Sequence, residues 1–319
     1  MHERVLAIPL IRTGHHPSAE RRALQRRVHR GELAVIRPGV LVDPIHLDGL
    51  RTDHRHLLLI RATAPSVRQP VALSHRSAAV VHGLPFVGPP PDKVEVVDPR
   101  RARGETSAFL RVRAATTATT ATDRWAGLPP TMAVTFGGAD ATSLVRTLID
   151  VASTLPIVEA LPMIDAALHE RRVLPDMLHA ELTSLQPSGH DKATAAVAMG
   201  SALSGSPAES ICRVRFRQLR TPEPVQQHTF ARPGERTAVV DFWFPDQGVV
   251  VEVDGRAKYE DAAMLDGRTT ADAHWQEKRR EDFIRSFSEV RAVVRLSWPD
   301  LMDPERIRAA LVRAGIPCR

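Results

Sequence analysis

The stretch Ala238-Val-Val-Asp241-Phe-Trp-Phe-Pro-Asp-Gln-Gly-Val-Val-Val-Glu252-Val-Asp254-Gly255 limits the fold of this chain more than any other segment. Two runs of β-branched and aromatic residues flank Pro245-Asp-Gln-Gly248, which predicts an antiparallel hairpin. With Asp246-Gln247 at the centre of the turn, Asp241 falls opposite Glu252. Opposed residues carry Cβ atoms ~5 Å apart. Strand alternation puts Asp254 on the face of Glu252, with Val251 and Val253 on the other face. Three carboxylates on one patch of sheet repel one another unless a cation lies between them. Magnesium binds through one or two carboxylates and keeps several waters. Mg²⁺ or Mn²⁺ held by Asp241 and Glu252 is therefore the expected cofactor, and such an ion activates water for phosphodiester hydrolysis. The alternative is that each acid is solvated or meets an arginine, Asp241 pairing with Arg236 or Arg256 and Asp254-Gly255 forming a plain turn. A slip of one residue in the register would abolish the pairing.

Around the hairpin the chain reads as helix Pro207–Leu219, strands Val225–Phe230, Thr237–Phe244 and Val249–Asp254, helix Ala271–Ser288, strand Val290–Leu296 and helix Pro299–Ala314. The order αβββαβα suits a compact α/β domain. Ser206-Pro207-Ala208-Glu209 matches a capping box, and Glu209 is also a candidate site acid if the helix starts over the sheet. Cys212 reads as a small buried residue. Lys258 is a candidate for stabilising developing charge, or an ordinary surface lysine. Lys278-Arg279-Arg280 could reach phosphates or form a solvated helix face.

Taken in order, these pieces resemble one family. Ser-Pro-x-Glu209 opening a helix, Val-Asp241-Phe, Val-Glu252-Val-Asp254-Gly, Lys-Arg-Arg-Glu-Asp282 and Val-Val-Arg295-Leu-Ser-Trp298 look like the very-short-patch-repair (Vsr)-like branch of the PD-(D/E)XK nucleases. The resemblance covers about residues 205–312. It implies a restriction-endonuclease-like αβββαβ core and Mg²⁺-dependent phosphodiester hydrolysis. Asp241 and Glu252 would be metal ligands, Glu209 the acid on the first helix, and Asp254 the third motif position. The usual Glu-x-Lys reads Glu252-Val-Asp254 here. Either Lys258 takes the lysine's role from a shifted position, or the domain binds nucleic acid without cutting.

Charge places the other feature. The net charge is +6, and the first 70 residues hold 12 arginines, no lysine and six acids, so the whole excess sits there. A basic module on a near-neutral body points to a polyanion, DNA above all. A helix over Ala19–Arg30, stopped by Gly31, presents Arg21, Arg22, Arg26, Arg27 and Arg30. Strands Leu33–Arg37 and Val40–Asp43 follow around Pro38-Gly39, with Arg37 near the hairpin tip. A basic helix followed by a small hairpin is the order of a winged helix and its wing, the helix lying in the major groove. The alternative is a solvated surface helix. Two cysteines, Cys212 and Cys318, exclude a disulfide scaffold and fit a reducing cytoplasm. No apolar run approaches the ~20 residues of a membrane span.

Arg27-Val-His-Arg-Gly31-Glu-Leu-Ala-Val-Ile-Arg-Pro-Gly39-Val-Leu-Val-Asp and Ala72-Leu-Ser-His-Arg-Ser-Ala-Ala-Val-Val-His-Gly83-Leu-Pro resemble the AbiEi-type antitoxins of abortive infection, over about residues 10–150. That resemblance implies operator binding by an N-terminal winged helix, with a toxin or a second copy of the chain as partner. Val5–Gly14 matches the usual first helix poorly. His75 and His82 in the second stretch read as structural histidines. The expectation is an α/β (α+β overall) protein with a winged helix over residues 1–70, a mixed α/β and helical region over 71–204 and a nuclease-like domain over 205–319. Its expected role is DNA binding with Mg²⁺-dependent cleavage, in phage defence or repair. The alternative is an antitoxin-like regulator with a degenerate nuclease fold.

Overall fold

The computed structural model describes residues 2–114, 134–185, 188–254 and 270–319. It is a mixed α and β protein whose contacts divide it into two compact units. The first holds Met1–Pro156 and Val173–Met199, and the second Ile157–Arg172 and Gly200–Arg319. Among the described residues, no helix is long and apolar enough to cross a membrane.

The first unit opens with α1 (His2–Ala7), β1 (Ile11–Arg12), α2 (Ser18–His29), β2 (Ala34–Arg37) and β3 (Val40–Val42). The strands form an antiparallel sheet in the order β1-β3-β2. Gly31, at φ +75°, ends α2, since that backbone conformation is strained for any side-chain-bearing residue. Leu24 of α2 packs on Leu33 and Leu41, so the hairpin carries the helix. Next comes α3 (Thr52–Thr63), whose last carbonyls are held by arginines. Arg12 donates to the Ala62 and Arg61 oxygens and Arg37 to the Ala62 oxygen, an arrangement that also complements the negative end of the helix dipole.

A second sheet, β4-β5-β7-β6, follows: β4 (Ala72–Leu73), β5 (Val94–Asp98), β6 (Glu105–Thr106) and β7 (Leu110–Ala114), with β5 and β7 parallel. Between β4 and β5 lies α4 (His75–Val81). The small hairpin β8 (Thr135–Phe136) and β9 (Ala139–Asp140) leads to α5 (Leu144–Thr154). Helix α6 (Ile157–His169) belongs to the second unit, whereas α7 (Pro175–Leu185) and α8 (His190–Ala198) return to the first. The Ala/Thr-rich segment at 114–122, read as a loop, lies outside the described residues beyond Ala114.

The second unit contains α6, α9 (Pro207–Gln218), β10 (Val225–Ala231), β11 (Thr237–Phe244), β12 (Val249–Val253), α10 (Thr270–Arg285), β13 (Ala292–Leu296), α11 (Trp298–Met302) and α12 (Pro304–Arg313). Its sheet runs β10-β11-β12-β13, antiparallel except for the parallel pair β12/β13. The hairpin register is the expected one, pairing Phe242 with Val251, Trp243 with Val250 and Phe244 with Val249. Gly248 makes the turn possible at φ +66°, because a Cβ there would meet the Glu289 oxygen at 2.6 Å. On one face Phe216 of α9 meets Phe242 and Phe244 edge-on at 5.1 and 5.3 Å. On the other, Phe283 and Ile284 of α10 pack on Val240, Trp243 and Val250. Each fully buried side chain of this size contributes roughly 1.5–3 kcal/mol. The single C-terminal helix read over Pro299–Ala314 is two helices. Asp303 caps the second, and Pro304 lacks the N–H that a continuous helix would use.

Candidate functional site

Glu209 stands in the first turn of α9, where Ser206 accepts from its backbone N–H, completing half of the expected cap. Its carboxylate is more heavily engaged than a cap requires. Oε1 accepts from the Ser206 hydroxyl at 2.7 Å, and Oε2 accepts from Gly205 N at 3.1 Å and Gln227 Nε2 at 2.9 Å. Burial raises its pKa, the hydrogen bonds oppose the rise, and the charge of Asp241 adds to it. Asp241 also raises the thiol of buried Cys212, after burial itself. Cys212 is therefore a protonated core residue.

The residues flanking Asp241 pair with those flanking Gln227, since Phe242 meets Gln226 and Val240 meets His228. Gln227 has φ +51°, a left-handed conformation uncommon in a strand. The alternation of β11 breaks at this level: Ala238 and Val240 share one cluster with Trp243. The hairpin brings Asp241 to the register position of Glu252, yet the two acids have separate partners. Asp241 Oδ2 accepts from Val253 N at 2.8 Å. Glu252 Oε1 accepts from Arg280 of α10 at 2.9 Å, and Arg280 also donates to the Val239 oxygen. The arginine partner of the alternative reading thus exists for Glu252, and it is Arg280. Asp254 is half-buried and donates its backbone N–H to the Leu296 oxygen. Lys258 and Arg256 lie outside the described residues.

A magnesium ion at this place would need open carboxylate oxygens. Glu209 is surrounded by three donors and Glu252 holds a guanidinium. Among the described residues, no group of three His, Cys, Asp or Glu side chains could hold a metal ion. The described donor set does not fit the ion, and no reaction step is derived through one. Gln227 and Arg280 are the residues that sequence reasoning did not assign to the site. Arg280 stood in a basic run, and only the crossover from β12 through α10 to β13 puts it over Glu252.

In the first unit the arginines divide into two groups. Arg21, Arg22, Arg26 and Arg30 are exposed on α2. Arg21 donates to Ser18 Oγ, and Arg27 and Arg30 both donate to Glu32 on the following turn. Arg30 holds the Glu32 carboxyl below its ordinary range by hydrogen bonding, yet such exposed pairs contribute little to stability. Arg37 does not project from the hairpin. It donates to the Ala62 oxygen, and its guanidinium lies 4.4 Å from the centre of the Phe109 ring. Burial and the neighbouring Arg12 lower its pKa. Of the six arginines expected at the interface, Arg37 is the one committed to the fold.

No protein-family model and no curated protein matches this chain. Among solved structures, the chain is similar at a TM-score of 0.38 and 16% identity to the Rv2827c protein of Mycobacterium tuberculosis, over 72% of this chain and 86% of that one. A likeness at that level carries no argument about fold or function.

Proposed function

We propose that this chain binds nucleic acid, docking on duplex DNA through the arginines of α2, and that its αβββαβ unit is a non-catalytic module of nuclease-like build. The observation that carries this reading is the set of exposed arginines at Arg22, Arg26 and Arg30, spaced four residues apart so that they line one face of α2. Such side chains meet phosphates and set position more than sequence. The neutralised state of Glu252 and the hydrogen bonds that occupy Glu209 support the non-catalytic part.

A second reading keeps Mg²⁺-dependent cleavage. One observation favours it: the Asp241 charge reaches Glu209, the crowding of acids that a cation relieves. A plasmid-nicking assay with Mg²⁺ separates the two. Wild type that cuts, with Asp241→Ala inactive, establishes the second reading; equal and negligible cutting by both establishes the first.

The docking itself is tested by anisotropy of a labelled duplex. Arg26→Ala weakens binding about five- to tenfold, as expected for one lost phosphate contact. Arg37→Ala lowers stability through the lost contacts to Ala62 and Phe109 and leaves affinity unchanged in the folded protein. Equal affinities of wild type and Arg26→Ala would remove α2 from the interface.

A further inference from the structure

The second sheet of the first unit carries a cluster that the reading above does not use. Glu95 of β5 is 1% exposed, and three arginines converge on its Oε1. Arg111 lies at 3.2 Å, Arg76 at 3.4 Å and Arg113 at 3.5 Å. The register explains the crowding: Glu95 pairs with Arg111 and Val97 with Arg113 on the parallel neighbour, so the two arginines stand two residues apart on one face of β7. One carboxylate offsets one guanidinium and leaves two in excess. Close by, Arg146 pairs with Asp150 at 2.8 Å, and Asp150 lies 3.7 Å from the buried His75, whose φ is +50°. The charges of Arg113, Arg146, Glu95 and Asp150 all act on His75, so these groups form one assembly of four arginines and two acids. The Nε of Arg113 is buried and makes no hydrogen bond among the described residues. The three arginines around Glu95 keep 22–36% of their side chains exposed, so the cluster is open to a ligand.

We infer that the cluster of Arg76, Arg111 and Arg113 around Glu95 is a binding site for a phosphoryl group, with the buried carboxylate holding the guanidiniums in place. Arginine suits this role because its planar fork presents paired N–H donors to two phosphate oxygens, and Arg113 has an unmet donor to offer. A nucleotide or a phosphate of a nucleic-acid backbone would present the same oxygens. The site is independent of α2.

The test is thermal melting of the full chain titrated with inorganic phosphate, at constant ionic strength set by chloride. Phosphate at about ten times its dissociation constant raises the melting temperature of wild type by about 3–6 °C. Arg111→Gln with Arg113→Gln abolishes the rise, circular dichroism confirming that the variant is folded. If that variant does not fold, Glu95→Gln decides. It removes the internal counter-charge and keeps the shape, so it binds phosphate more tightly than wild type. Arg22→Ala with Arg26→Ala retains the full response, which separates this site from α2. Adenosine monophosphate and an unlabelled duplex identify the source of the phosphoryl group. A response to the nucleotide assigns a small phosphate ester, and a response to the duplex alone, lost in the double variant, assigns the backbone. A wild type blind to phosphate, nucleotide and duplex, or a response that survives loss of both arginines or weakens in Glu95→Gln, overturns the site.

Discussion

Replacing Asp165 by alanine lowers the stability of the second unit by about 3–5 kcal/mol, the cost expected for removing one partner of a buried ion pair. Asp165 of α6 is 1% exposed. Its Oδ2 accepts from Arg213 of α9 at 2.8 Å and its Oδ1 from Ser201 N at 2.8 Å. Burial raises its pKa, and Arg213 and the Ser201 N–H oppose the rise. The sign follows from that direction. An acid whose folded pKa is raised contributes stability below its unfolded pKa and loses it as pH rises through the folded value. The pair therefore fixes how α6 meets α9 and adds little net stability at neutral pH, whereas breaking it strands charge. Asp165→Asn, which keeps an acceptor for Ser201, costs less than Asp165→Ala. Urea unfolding followed by tryptophan fluorescence measures both, because Trp243, Trp275 and Trp298 lie in this unit. A loss below about 1 kcal/mol for the alanine variant would show that Arg213 does not depend on this carboxylate.

Acid acts on the first unit through His56. Its ring is 3% exposed, and burial lowers its pKa from 6.5 to about 4. The network assigns its tautomer. Glu95 N–H donates to Ser77 Oγ at 2.8 Å, so the Ser77 hydroxyl donates to His56 Nε2 at 2.9 Å. A histidine with a depressed folded pKa is neutral when folded and takes up a proton on unfolding below its ordinary value. Stability therefore falls as pH drops from 6.5 toward 4 and this contribution levels off below that. The full span corresponds to about 3 kcal/mol. His56→Gln is less stable at neutral pH but has a shallower pH dependence, and the difference between the two curves isolates this group from the carboxylates. Parallel curves over the window from pH 6.5 to 4 would contradict it.

What the chain revealed in advance follows the range of each interaction. The β11/β12 hairpin was legible to the residue, because Pro245 to Gly248 lies between two apolar runs that admit one register with a buried face. Helix α2 and its stop at Gly31 were legible for similar local reasons. The two-residue strands β1, β6, β8 and β9 were not, since a pair of residues has no period to detect. Pairings across long separations were hidden as well. Arg280 reaches Glu252 over 28 positions, and Arg37 stacks on Phe109 from a distant strand. A count of arginines near the N-terminus gave the sign of the surface and not its usable charge, because Arg12 and Arg37 cap α3. The expectation of one shared acidic face depended on unbroken alternation, and the left-handed Gln227 beside Asp241 marks where alternation ends.

The claim that the exposed arginines of α2 grip a polyanion is tested most directly by the salt dependence of duplex binding. Each phosphate neutralised contributes about −0.9 to the slope of log affinity against log salt concentration. The triple variant Arg21→Ala, Arg22→Ala, Arg26→Ala has a slope shallower than wild type by roughly 0.9 for every one of these residues in contact with phosphate. Identical slopes in a folded variant, or no duplex binding by wild type at low salt, would contradict the account.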